Sequence, residues 1–151
     1  MSAKYSASGS QNLASSAITA LGLSAATASL RRAFISEFMI GDVGTPADNA
    51  VLHTAQRFSA AGTSTPVVPT RLDLADPESD TVAGENHSAE PTYTATEELL
   101  EIPMNTRATF RWVAAPGYEL IIPATNAAGI GWHALHASAT TEWRVTAAWR
   151  E

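Results

Sequence analysis

Between Glu142 and Glu151 the chain places Trp143, Val145, Ala147 and Trp149 at every second position, with Arg144, Thr146 and Arg150 between them. A strand sends successive side chains to opposite faces, so this period of two predicts a strand with one buried and one polar face. The stretch from Arg107 to Pro123 shows the same pattern on either side of Pro116-Gly117. Phe110 and Trp112 share one face, Thr109 and Arg111 the other, and Tyr118, Leu120 and Ile122 resume after the turn. It reads as a hairpin that presents Phe110, Trp112, Tyr118, Leu120 and Ile122 to a core and leaves Arg111 and Glu119 outside, available for subunit contacts. Leu30 to Ile40 differs, because Phe34, Phe38 and Ile40 fall on one parity and Ala33, Ile35 and Met39 on the other. Both faces of this strand look apolar, so it is expected centrally or at an interface, where a like subunit or another protein covers the second face.

Weaker signals fill the rest. Ala50 to Phe58 reads as a strand, Ala60 to Pro66 as a turn, and Val67 to Leu72 as a short strand that Pro69 confines to an edge or a bulge. Asp73 to Pro91 is acidic and rich in breakers, and reads as a long surface excursion. Glu98 to Asn105 and Gly129 to His136 complete the set. With no sustained 3.6-residue period after residue 30, about eight short strands predict an all-β fold, an antiparallel β-sandwich of which the jelly roll is one form. It occupies 30–151 as one domain. The Ala- and Ser-rich residues 1–29 are expected to form an irregular N-terminal arm or a first edge strand.

Composition narrows the function classes. The absence of cysteine removes disulfides, thiolate metal sites and a cysteine nucleophile. Nine Lys and Arg against fifteen Asp and Glu give a net charge of −6, and Arg31-Arg32 is the longest basic run, which argues against nucleic acid and anionic membranes as partners. The apolar residues from Leu13 to Leu30 are diluted by Ser and Thr, unlike a signal peptide, and no run has the length and apolarity to span a bilayer.

Candidate chemistry is thin. His133 and His136, three apart, point to opposite faces on a strand, and His53 and His87 lack neighbours that complete a ligand set, so surface or hydrogen-bonded histidines are expected. The carboxylates of Asp76-Pro-Glu-Ser-Asp80 surround a proline where a calcium loop needs to bend freely. No G-x-S-x-G, phosphate loop or dinucleotide fingerprint occurs. The expectation is a protein without catalytic residues, metal or cofactor. Trp112, Trp132, Trp143 and Trp149 fit a core or subunit interface, and the alternative is a sugar-stacking platform.

Four segments carry a resemblance: Gly41-Asp-Val-Gly-Thr-Pro-Ala-Asp-Asn-Ala50, Ala60-Ala-Gly-Thr-Ser-Thr-Pro66, Ala83-Gly-Glu-Asn-His-Ser-Ala-Glu-Pro-Thr-Tyr93, and Asn105-Thr-Arg-Ala-Thr-Phe-Arg-Trp-Val-Ala-Ala-Pro-Gly117. Together they resemble small proteins encoded among the head genes of tailed bacteriophages. The resemblance is one of turns and strands without an active-site signature. It implies a capsid decoration (cement) protein: β-rich, homotrimeric, located in the virion on the outer capsid surface, with the major capsid protein as partner. Interface residues expected on this view are Ala33, Ile35, Met39, Arg111 and Glu119. The alternative of another class is a carbohydrate- or receptor-binding sandwich of a phage tail or fibre.

Overall fold

The computed structural model describes residues 2–136 and 140–151. Its strands are, in chain order, β1 (Lys4–Asn12), β2 (Ile18–Ala25), β3 (Ala33–Asp42), β4 (Ala50–Ala60), β5 (Thr63–Val67) and β6 (Thr70–Arg71). There follow β7 (Thr81–Ala89), β8 (Thr92–Asn105), β9 (Thr109–Val113), β10 (Leu120–Ile122), β11 (Gly129–Leu135) and β12 (Glu142–Arg150). None of the described residues is helical.

Two sheets pack face to face as an antiparallel β-sandwich. In the first, β3, β12, β1 and β6 lie side by side, and β9 and β10 both pair with the far side of β3; the second runs β5–β7–β2–β11–β4–β8. The strand with the clearest alternation, β12, is central in the first sheet, and its Trp143, Val145, Ala147 and Trp149 are all buried. Leu21 and Leu23 of β2, Val51 and Ala55 of β4, and Ile130 and Trp132 of β11 meet them from the second sheet. The Phe38 ring lies 5.4 Å from Trp132 across the sheets and 5.3 Å from Trp112 beside it. Each such large side chain, once buried, contributes on the order of 2 kcal/mol, so the core alone can hold the sheets together without covalent links.

Strand β3 does not carry two apolar faces. Its pairing with β12 steps from Glu37↔Ala148 to Ile35↔Trp149, leaving Ser36 as an extra residue. A bulge of this kind shifts the side-chain parity by one. Ala33 and Ile35 before it, and Phe38 and Ile40 after it, therefore all face one core and are fully buried. The second apolar face expected from the sequence is the same face read through a bulge.

The expected hairpin is also replaced. β9 pairs with residues 37–41 and β10 with residues 33–35 of the same β3 edge, so the two run in one direction as an interrupted edge strand. The interruption faces the Ser36 bulge, where the Ala114 N–H donates to the Ser36 carbonyl at 2.9 Å. Pro116-Gly117 forms the turn of the excursion, closed by the Tyr118 N–H to the Ala115 carbonyl at 2.9 Å, with Gly117 at φ 86°. Phe110, Trp112 and Leu120 pack against the core and Ile122 is buried, whereas Tyr118 stands in solvent on the turn.

Residues 1–29 supply two interior strands, which corrects the expected arm. β1 lies between β12 and β6, and β2 between β7 and β11. Their period of two is written in small residues: Tyr5 and Ala7 of β1 point inward while Ser6 and Ser8 alternate with them. The middle of the chain is also more ordered than its breakers suggest. Residues 63–66, expected as part of a turn, form with Val67 the strand β5 that pairs with β7, and β7 itself takes up much of the segment read as an acidic excursion.

Candidate functional site

The outer face of the second sheet carries a small packing layer of its own. Gly22, Gly129 and Gly131 leave a bare strip across β2 and β11, and rings from other strands fill it. A Cβ at Gly131 would strike the Tyr93 hydroxyl, one at Gly129 would stand 2.7 Å from the Phe58 ring, and one at Gly22 would stand 3.2 Å from His87. Tyr93 lies 4.5 Å from the His133 ring and 6.2 Å from Phe58. Two kinks bring these side chains over the sheet. Asn86 in β7 and Thr96 in β8 adopt positive φ, and the β4–β8 pairing shifts register three times beyond Ala55.

Hydrogen bonds fix the layer. The Tyr93 hydroxyl lies 2.6 Å from Thr19 Oγ1, which lies 2.5 Å from Glu90 Oε2. Since the carboxylate only accepts, Thr19 donates to Glu90 and Tyr93 donates to Thr19. His87 Nδ1 is 3.2 Å from the Thr19 carbonyl, which makes Nδ1 the protonated nitrogen of the neutral ring. The Gln56 amide nitrogen donates to the Thr94 carbonyl and to Glu98 Oε1, so its oxygen accepts from His133 Nε2 at 2.9 Å. Burial holds both histidines below their ordinary range, with Glu90 and the Thr19 carbonyl opposing it at His87 and Glu98 opposing it at His133. Burial also raises the Tyr93 hydroxyl. At neutral pH the network is a set of uncharged donors tied to two carboxylates, and it fastens β8 onto the sheet. Sequence reasoning missed it because it gathers residues from five strands and the link after β7.

The residues singled out from the sequence are dispersed. Ala33 and Ile35 are wholly buried in the core, which removes them as interface residues. Met39, 41% exposed, lies on the outer face of the first sheet opposite Arg111 and Thr146. Arg111 Nε is 2.6 Å from Glu37, and Glu119 is 3.4 Å from Arg150, whose guanidinium lies over the Phe34 ring. Both outward charges are thus already paired within the chain. Trp132, Trp143 and Trp149 are buried and Trp112 is half-buried against Phe38, so they do not form an exposed platform.

Of the two histidines expected at the surface or hydrogen-bonded, His87 meets the expectation through its hydrogen bond and His53 overturns it. Among the described residues, His53 is fully buried in the core with no hydrogen-bond partner at either ring nitrogen, and His87 is buried and hydrogen-bonded. Among the described residues, no three His, Asp or Glu side chains converge as a metal site.

Two other surface features remain. A polar recess of about 260 Å³ opens beside the free end of β1, lined by Ser10, Gln11, Asn12, Thr65, Glu85, Asn86 and Glu142. Large apolar side chains also stand in solvent. Leu135, Leu52 and Pro103 are directly opposed across β11, β4 and β8 and are exposed, and Val68 and Leu74 are more than four-fifths exposed on the link between β5 and β7. Comparison of the chain with protein-family models, with curated proteins and with solved structures finds no match.

Proposed function

We propose that this protein is a virion structural protein that decorates a tailed-phage capsid, binding the major capsid protein on the outer surface of the shell and stabilising it without catalysis. The observation that supports this reading best is the placement of large apolar side chains in solvent on a frame fixed by strand pairing and side-chain hydrogen bonds. Exposed apolar groups on rigid elements favour protein association, because their burial is gained with little loss of conformational freedom. The four turn-and-strand segments that resemble phage head proteins supply the partner. The homotrimer belongs to the proposal through that resemblance alone, since the bulge in β3 absorbs the extra apolar face that also argued for it.

The test is to identify a major capsid gene neighbouring the gene for this chain, to assemble shells from its product with and without the protein, and to compare co-sedimentation and survival of heat and osmotic shock. Stoichiometric binding and greater robustness are expected. Shells that neither retain the protein nor gain resistance would refute the reading, and a monomer on the particle would refute the trimer.

A carbohydrate-binding function has one feature in its favour, the recess beside β1, whose amides, hydroxyls and carboxylates suit vicinal diols. The buried tryptophans remove the stacking surface such sites use. A glycan array is expected to be blank; binding that Asn86→Ala abolishes would make this the better reading.

A further inference from the structure

The link from β5 to β7 holds the two most exposed large apolar side chains of the described residues, Leu74 at 85% and Val68 at 84%, with Leu72 at 59% between them. It is not a loosely held loop. The Leu72 N–H donates to the Lys4 carbonyl at 2.9 Å, and the Lys4 N–H to Asp76 Oδ2 at 3.2 Å. The Tyr5 hydroxyl donates to the Pro77 carbonyl at 3.1 Å and the Arg71 guanidinium to the Asp76 carbonyl at 3.1 Å. Asp73 turns the tip by accepting the Ala75 and Asp76 N–H groups at 2.9 and 3.0 Å. Farther on, Glu151 accepts from Ser79, Asp80 and Thr81. Leucine and valine side chains held outward by this many bonds are preorganised for contact.

We propose that residues 68–74 form the surface that docks on the shell, with Val68, Leu72 and Leu74 entering apolar depressions of a capsid subunit that are rimmed by Lys or Arg. The inference rests on the decoration reading and specifies the docking surface. The occupant follows from shape and charge. The side chains project between two recesses, of about 400 and 350 Å³, bordered by Leu72 and Val68 respectively, so the partner must supply both depressions and small projections. Asp73 and Glu78 are exposed beside them without ion-pair partners among the described residues, whereas Asp80 is paired with Arg31. A second copy docking by this same surface would set these carboxylates against each other in a chain that already carries −6. An anionic membrane meets the same repulsion. A basic rim is complementary. The patch is small, and binding to many equivalent shell sites at once makes weak contacts sufficient.

The experiment compares wild type, the Val68→Asp/Leu74→Asp variant and a control at two other exposed valines, Val82→Asp/Val113→Asp, on assembled shells, with circular dichroism to confirm folding. The loop variant is expected to lose affinity by on the order of tenfold or more, while the control binds as wild type does. Glu78→Lys is expected to weaken binding and flatten its salt dependence. If wild type binds and the loop variant binds within about twofold of it, the docking surface is wrong and the decoration reading stands. If wild type does not bind, both fail. Two further results overturn the docking surface: loss of a wild-type oligomer in the loop variant by sedimentation velocity, which makes the loop a subunit contact, and wild-type flotation with phosphatidylglycerol vesicles that the variant loses.

Discussion

The His53 and Trp143 rings meet edge to face inside the core, with 4.8 Å between ring centroids and 61° between planes, and neither nitrogen of the imidazole finds a hydrogen-bond partner among the described residues. Directly opposite Trp143 on β3 stands Asp42, whose two carboxylate oxygens are also buried and unpartnered. Burial pushes His53 down to about 4 and Asp42 up to about 6. Both groups are therefore held uncharged in the acid range, next to the same indole.

Their effects on stability oppose each other. Unfolded His53 takes up a proton more readily than folded His53, so its contribution is full above about 6.5 and is lost as pH falls toward about 4. Folded Asp42 keeps its proton longer than the unfolded residue, so its contribution is full below about 3.8 and is lost as pH rises through about 6. In wild type the two slopes offset one another across that window. Urea denaturation between pH 4 and 6.5 is expected to show stability climbing with pH in Asp42→Asn and falling with pH in His53→Gln. Parallel profiles in the two variants would contradict this account.

Deleting Ser36 removes the bulge and turns Ala33 and Ile35 away from the core while Phe38 and Ile40 stay inside. The deletion is expected to abolish cooperative folding, whereas Ser36→Ala, which loses only a 3.3 Å bond to the Ala148 carbonyl, costs about 0.5 kcal/mol. Thermal melts of the two proteins distinguish these outcomes, and a folded deletion variant would show that β3 can tolerate the other register.

Gly131→Ala is expected to destabilise by about 1–3 kcal/mol, because the new methyl displaces the Tyr93 hydroxyl and with it the bond to Thr19. Tyr93→Phe in the same background should recover part of the loss by removing the clashing oxygen. A melt of Gly131→Ala indistinguishable from wild type would mean that the outer layer contributes nothing to stability.

Glu151 ends the described chain with a carboxylate that accepts from Ser79 Oγ, the Asp80 and Thr81 N–H groups and Trp149 Nε1. Desolvation opposes its ionisation, yet these bonds outweigh it and hold Glu151 below the usual carboxylate range. Its contribution is therefore present above the ordinary glutamate value and is lost as pH falls through the depressed one. Glu151→Gln should cost about 1–2 kcal/mol at neutral pH and raise amide exchange at Asp80 and Thr81; unchanged exchange there would show that the carboxylate does not pin the segment.

What the sequence determined by itself is local. The alternation of Trp143, Val145, Ala147 and Trp149 specifies a strand whatever surrounds it, and a chain without a helical period can bury such faces only by pairing sheets. The core placement of Trp132, Trp143 and Trp149 follows from the same parity, whereas His53, expected at the surface or hydrogen-bonded, is buried with Val51 and Ala55 on its own strand face. Tertiary structure decided whatever depends on register and on distant neighbours. A bulge costs one residue and leaves no sequence mark at Ser36, yet it brings Ile35 and Phe38, of opposite parity, to the same inner face. Pro116-Gly117 specifies a turn but not its partner, and pairing with β3 made an interrupted edge strand where local pattern suggested a hairpin. Ser- and Gly-rich strands such as β1 are legible only once a neighbour supplies the apolar area that their own side chains lack. The layer joining Thr19, Gln56, His87, Tyr93 and His133 draws on contacts up to 77 residues apart, and no local period encodes such a meeting.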